Sequence, residues 1–385
     1  MKKAIIITAF DNYSYQTRVK YIESILNEKG YETLICSSDF DHRLKTKYDC
    51  KRKGLVLVHV LPYKKNISIN RIISHTMFSK KVLHICEKEN PDLIYAVIPP
   101  NFICYYIGKY RSQNIKCKLI YDVGDMWPET MPISNKFKSA LYPLLNIWAN
   151  IRNKGLNRAD GIAFECNLFK DYLLKYIDNS DYKTIYLCKE DKLGFVPSLT
   201  CNSEILKIVY IGSINNIIDI KLIALFLEEL HYSRKCELIL IGDGEKKSEL
   251  CNLCRKKEIN IVDYGIVFDD KKKMSILKEC HFGLNIMRQE VFVGATMKSL
   301  EYFYWGLAVI NNIPADSYKI IESNNCGYNL SYDNIKDVAN QIASISEEDI
   351  IEMKNNSRSV YSKYFSKEIM NSHFTNFFNT VIGTE

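Results

Sequence analysis

The sequence predicts an α/β protein of two domains, each a parallel sheet covered by helices, facing each other across a cleft. Three observations lead there. At 385 residues the chain is longer than one ordinary core serves. Strand-length apolar runs alternate with segments of helical apolar spacing along most of it. That alternation stops at 190–204 (EDKLGFVPSLTCNSE), a polar stretch without periodicity that reads as a linker, and then restarts.

In the first domain, residues 3–9 (KAIIITA) form a strand, 16–29 a helix closed by Gly30, and 31–37 (YETLICS) a second strand. Further strands are expected at 55–61, 92–97, 118–122, 160–164 and 184–188, with helices at 69–88, 101–110, 138–157 and 167–176. Parallel sheets bind ligands at the carboxyl ends of their strands, which makes 10–15 a cleft loop presenting Asn12, Tyr13 and Tyr15. The loop has no glycine, so no dinucleotide fingerprint stands there. After the fifth strand comes Asp122-Val-Gly-Asp-Met-Trp-Pro-Glu129. Asp125 or Glu129 there suits a sugar hydroxyl or positive charge developing on a sugar carbon; alternatively, Pro128 and Glu129 open a helix.

The second domain repeats the pattern with strands at 207–211, 236–241, 259–264, 282–287 and 307–310, and helices at 218–230, 246–257, 271–279 and 297–305. Glycines follow three of its strands, at Gly212-Ser213, Gly242-Asp-Gly244 and Gly265. Each half is thus Rossmann-like, with boundaries at 1–195 and 200–362. A terminal helix at 367–385 is long enough to pack back on the first domain.

Composition narrows the function. No run of about 18 apolar residues crosses a membrane, and MKKAIIITAF lacks a cleavage pattern, so it reads as a first strand. The 13 Cys are scattered and odd in number, the usage of a reducing cytoplasm; Cys251 and Cys254 fit one helix face better than a zinc site. Net charge is +7, with a basic cluster in the first third that suits an anionic membrane surface or a solvated face; no nucleic-acid-binding module accompanies it.

The site signal is strongest at 291–310 (VFVGATMKSLEYFYWGLAVI). A helix start offers bare backbone N–H groups, so Gly294, Ala295, Thr296 and Met297 can hold a phosphate, with Lys298 adding charge. Glu301, three residues on, faces the same side and can accept from ribose hydroxyls. The same residues also fit a core helix with an ordinary surface pair.

Taken in order, D-x-x-D-x-W-P-E at 122–129, Arg158-Ala-Asp160, Gly212-Ser213, Gly242-Asp-Gly244, Gly265 and Lys298-x-x-Glu301-Tyr302 resemble the nucleotide-sugar glycosyltransferases of GT-B architecture, family 4 type. The resemblance implies a retaining hexosyltransferase for surface polysaccharide such as capsule, O-antigen or exopolysaccharide. It would carry a sugar from a UDP-sugar donor to a glycan or lipid-linked acceptor, without cofactor or metal, at the cytoplasmic face of the membrane. Glu301 then matches the ribose acid, Gly294 to Met297 and Gly212-Ser213 the diphosphate loops, Ile266 and Val267 after Gly265 the base site. Asp125 falls near the transferred sugar, and Lys298 carries the cation work. Relatives often have a second glutamate where Val293 stands, and an Arg and Lys pair where Asn215 and Asn216 stand. Two other readings follow: a non-catalytic subunit or chaperone of the same fold, and a sugar-nucleotide epimerase.

Overall fold

The continuous apolar runs become strands buried on both faces, as parallel sheets require. A computed structural model, describing residues 1–9, 18–131, 135–178, 180–192, 194 and 204–383, divides the chain into two units. Unit 1 comprises 1–187 with 370–385; unit 2 comprises 188–369.

Unit 1 opens with β1 (Lys2–Thr8), α1 (Arg18–Glu28) and β2 (Tyr31–Ser38), then a small hairpin, β3 (Phe40–Asp41) and β4 (Thr46–Lys47). It continues through β5 (Leu55–Val58), α2 (Ile69–Glu89), β6 (Leu93–Ile98), α3 (Phe102–Gln113) and β7 (Lys118–Val123). It ends with α4 (Asn135–Leu156), β8 (Gly161–Phe164), α5 (Asn167–Leu173) and β9 (Asp181–Thr184). Its seven strands lie in the order β5-β2-β1-β6-β7-β8-β9, all parallel. Two expectations fail here. The last strand is 181–184, not 184–188, because an edge strand is solvated and need not be apolar: Asp181 to Lys183 are exposed while Ile185 beyond it is buried. Pro128 and Glu129 open no helix; they sit in a turn, bridged by hydrogen bonds from Thr130 N to the Met126 carbonyl and Met131 N to the Pro128 carbonyl, 3.0 and 3.1 Å.

Unit 2 runs β10 (Leu206–Ile211), α6 (Ile220–Ser233), β11 (Cys236–Ile241), α7 (Lys247–Arg255), β12 (Asn260–Asp263), α8 (Asp270–Leu277), β13 (Phe282–Asn285) and α9 (Met297–Tyr304). Then come β14 (Ala308–Asn311), α10 (Asp316–Asn324), β15 (Gly327–Asn329), α11 (Ile335–Ala343), α12 (Glu347–Val360) and α13 (Lys367–Ile382). Six parallel strands are ordered β12-β11-β10-β13-β14-β15 over a core that includes Leu238, Leu240, Phe226, Leu284 and Ile310. Cys251 and Cys254 lie buried on the inner face of α7, and no cluster of three metal-binding side chains occurs among the described residues.

Helix α13 ends inside unit 1. Phe374 and Phe378 pack edge-on against Tyr95 of β6, at 6.2 and 5.9 Å between ring centres. Gly161 of β8 leaves room for Phe377 and Val381, whose side chains a Cβ there would strike.

Candidate functional site

In unit 2 the strand order reverses between β10 and β13, the topological switch point where such sheets take their ligands. These strands pair only at Ile208↔Phe282 and Val209↔Gly283, then part. Tyr302 of α9 fills the opening: its hydroxyl accepts from the Ile211 amide at 3.0 Å and donates to the Leu284 carbonyl at 3.1 Å. Its ring lies on Gly283, where no Cβ would fit. Tyr302→Phe is therefore expected to strand a strand-end amide and a carbonyl, costing about 1–3 kcal/mol in denaturant unfolding.

That anchor sets the start of α9 at the switch point. Thr296 caps the helix, accepting from the Ser299 amide at 3.0 Å and donating to Asn285 Oδ1 at 2.7 Å. Asn285 in turn donates to Asn311 at 2.8 Å. The Gly294 carbonyl accepts from both the amide and the hydroxyl of Ser317, each at 2.9 Å. Among the described residues nothing accepts from the amides of Gly294, Ala295, Met297 and Lys298. Lys298 has no carboxylate within ion-pair distance among those residues; its ammonium lies 5.5 Å from the Tyr210 ring centre and its chain passes beside Gly212. Burial lowers its pKa to about 8.

Three glycine loops meet beside it. The Gly212 amide donates to the Ile241 carbonyl at 2.9 Å and the Gly242 amide to the Gly265 carbonyl at 2.7 Å. Gly242, at φ +152°, could not be another residue, because a Cβ would collide with the Gly212 carbonyl. Ser213 is exposed, and its carbonyl accepts from Tyr210 Oη at 2.8 Å. Beyond Gly265, Val267 turns inward while Ile266 and Phe268 are exposed, 59% and 88%.

Glu301 is held tightly. Lys189 reaches one carboxylate oxygen at 2.9 Å; Lys273, at 3.3 Å, and Trp305 Nε1, at 3.0 Å, share the other. Burial alone would raise its pKa, but the two lysines and the indole outweigh it and the net shift is downward. Three of about four lone-pair positions are thereby used. Sequence spacing gave no sign of Lys189 or Lys273: Lys189 lies 112 residues from Glu301, just before the stretch expected to be linker. Its backbone is fixed as well, its amide donating to the Phe365 carbonyl at 3.0 Å and its carbonyl accepting from Tyr361 Oη at 2.7 Å. Val293 packs against the apolar core, and Glu290 is exposed.

In unit 1 the acidic residues at the end of β7 separate into three roles. Asp122 is fully buried: Arg18 Nε lies 2.7 Å from its carboxylate and Tyr95 Oη donates to it at 2.5 Å. Asp125 organises the following turn, accepting from Met126 N at 2.8 Å and from the Thr130 hydroxyl. Burial raises its pKa, partly offset by those bonds and by Arg71. Glu129 receives the buried Arg152 guanidinium in a two-point pair at 2.8 Å each, while Arg152 also donates to the Trp127 carbonyl at 2.7 Å. Arg71 of α2 stacks on Trp127, 3.6 Å from the ring centre, a partner that sequence reasoning missed for want of any local spacing. Asn12, Tyr13 and Tyr15 lie outside the described residues.

Residues 206–348 match the family described as Glycosyl transferases group 1. No curated protein matches the sequence. The fold is similar over full length to sucrose-phosphate synthase from Thermosynechococcus elongatus, at TM-score 0.72 and 11% identity, covering 100% of both chains. It is similar to the lipopolysaccharide outer core galactosyltransferase WaaB in its apo form, at TM-score 0.68 and 16% identity, with 99% of each chain covered. Anabaena HepE, solved in complex with UDP-glucose, matches at TM-score 0.63 and 13% identity, again over 100% of both chains. These likenesses place the chain in the GT-B fold class. The family match and the fold together support glycosyl transfer.

Proposed function

We propose that the chain is a retaining glycosyltransferase that moves a sugar from a UDP-sugar to a lipid-linked glycan during surface polysaccharide synthesis. One observation carries this most: at the sheet's switch point the Lys298 ammonium and four amides beside it have no carboxylate or carbonyl partner among the described residues. Such a group stabilises a diphosphate and, more strongly, the charge that develops as it departs. The C–O bond to the diphosphate breaks, the acceptor oxygen bonds to the same face of the sugar carbon, and its proton passes to the leaving phosphate. On this account lysine and helix amides do the work a metal does elsewhere. Acceptor recognition falls to unit 1.

Glu301 grips the ribose only by sharing an oxygen that now holds Lys189. Calorimetric titration tests this pairwise. The wild type is expected to bind UDP about tenfold (about 1.4 kcal/mol) more tightly than the nucleotide lacking the 2′ and 3′ hydroxyls, and Glu301→Ala to lose that preference. An unchanged preference would remove the ribose role and leave the diphosphate site standing. Transfer by the isolated chain from UDP-sugar to an acceptor decides against a non-catalytic subunit.

A further inference from the structure

Unit 1 holds an apolar groove with no part in the chemistry above. It lies between the start of α2 and the middle of α4, encloses about 580 Å³, and is lined by residues that include Ile69, Ile72, Trp127, Leu144, Ile147 and Trp148. No acidic side chain lines it. Ile69, Leu144 and Ile147 are 76%, 66% and 60% exposed, far more than a core would leave. The Trp148 indole N–H is buried without a partner among the described residues.

Charge says what covers it. The segments 51–86 and 130–159, which supply the whole lining except Phe102 and Trp127, contain 13 Lys and Arg and no Asp or Glu. Beside the groove, Lys64 and Lys65 directly precede its lining residue Asn66, and Lys154 follows its lining residue Ile151 by three positions on α4; all three are exposed. A second copy docking face to face would bring two such basic surfaces together, which disfavours self-association here. An apolar cleft within a cationic surface fits an amphiphile with an anionic head.

We infer that the groove seats a hydrocarbon chain of an anionic membrane lipid, with the exposed Lys64, Lys65 and Lys154 against lipid phosphates. All of these residues lie in unit 1, so the inference stands or falls separately from the donor site of unit 2.

Sedimentation of the full chain with vesicles of phosphatidylcholine alone, or with phosphatidylglycerol added, tests it. The wild type is expected to bind the anionic vesicles at least tenfold more tightly than the neutral ones. Leu144→Ser/Ile147→Ser and Lys64→Glu/Lys65→Glu should each weaken that binding at least tenfold. Because these side chains are exposed, both variants should keep the wild-type unfolding midpoint and UDP affinity. Three results would overturn the assignment: no wild-type binding to anionic vesicles, equal binding by the Leu144/Ile147 variant, or a groove variant whose only defect is lost self-association or lost capture of a soluble protein.

Discussion

Asp122→Ala is expected to destabilise unit 1 by about 3–5 kcal/mol, the penalty for breaking a buried ion pair from one side. Asp122 is wholly enclosed and Arg18 nearly so, with side-chain exposures of 0% and 8%. Removing the carboxylate leaves a guanidinium that cannot shed its proton and whose Nη atoms already lack partners among the described residues. The Phe374 ring, 4.9 Å from the Arg18 guanidinium carbon, offers only a weak substitute. Thermal and urea unfolding of the full chain measure the loss. A double variant, Asp122→Ala with Arg18→Met, should recover much of it, because the stranded charge has gone. A drop under 1 kcal/mol would mean that the pair is solvated.

Lys298→Ala is expected to weaken UDP binding by about 10- to 100-fold, the value of a hydrogen bond to a charged group. Uridine, which has no phosphate, should bind both proteins equally. The pH profile follows from the lowered pKa. Below about 8 the ammonium is present and affinity should be level; above about 8 it loses its proton and affinity should fall. Lys298→Arg should flatten that fall, since a guanidinium keeps its charge throughout. Calorimetry between pH 6.5 and 9.5 checks all three proteins, and a level wild-type profile would show that Lys298 does not face the phosphates.

The alternation of strands and helices was legible because buried parallel strands are continuous apolar runs: Ile5 to Ile7 and Leu238 to Ile241 announce themselves. The edge strand 181–184 did not, since one side of it meets water and its apolar neighbour Ile185 drew the assignment past the true end. At the site, Lys298 and Glu301 were readable as a local pattern on one helix, and the glycines as strand-end loops. Their partners were not. Lys189 with Glu301 and Arg18 with Asp122 are 112 and 104 residues apart, and only the completed sheet brings them together. Glu129 looked like a cleft acid from its place after a strand, yet its carboxylate is occupied by Arg152, a residue of α4 that no periodicity links to it.

Residues 370–385 belong to unit 1 although all of 188–369 separates them from the rest of it. On the ribosome, then, the amino-terminal half emerges first yet stays unfinished, with β6 and β8 lacking the aromatic cover of Phe374, Phe377 and Phe378. The usual vectorial order, in which the leading domain folds before its successor is made, is closed to this protein. Unit 2 is free to settle while its predecessor waits for the final helix.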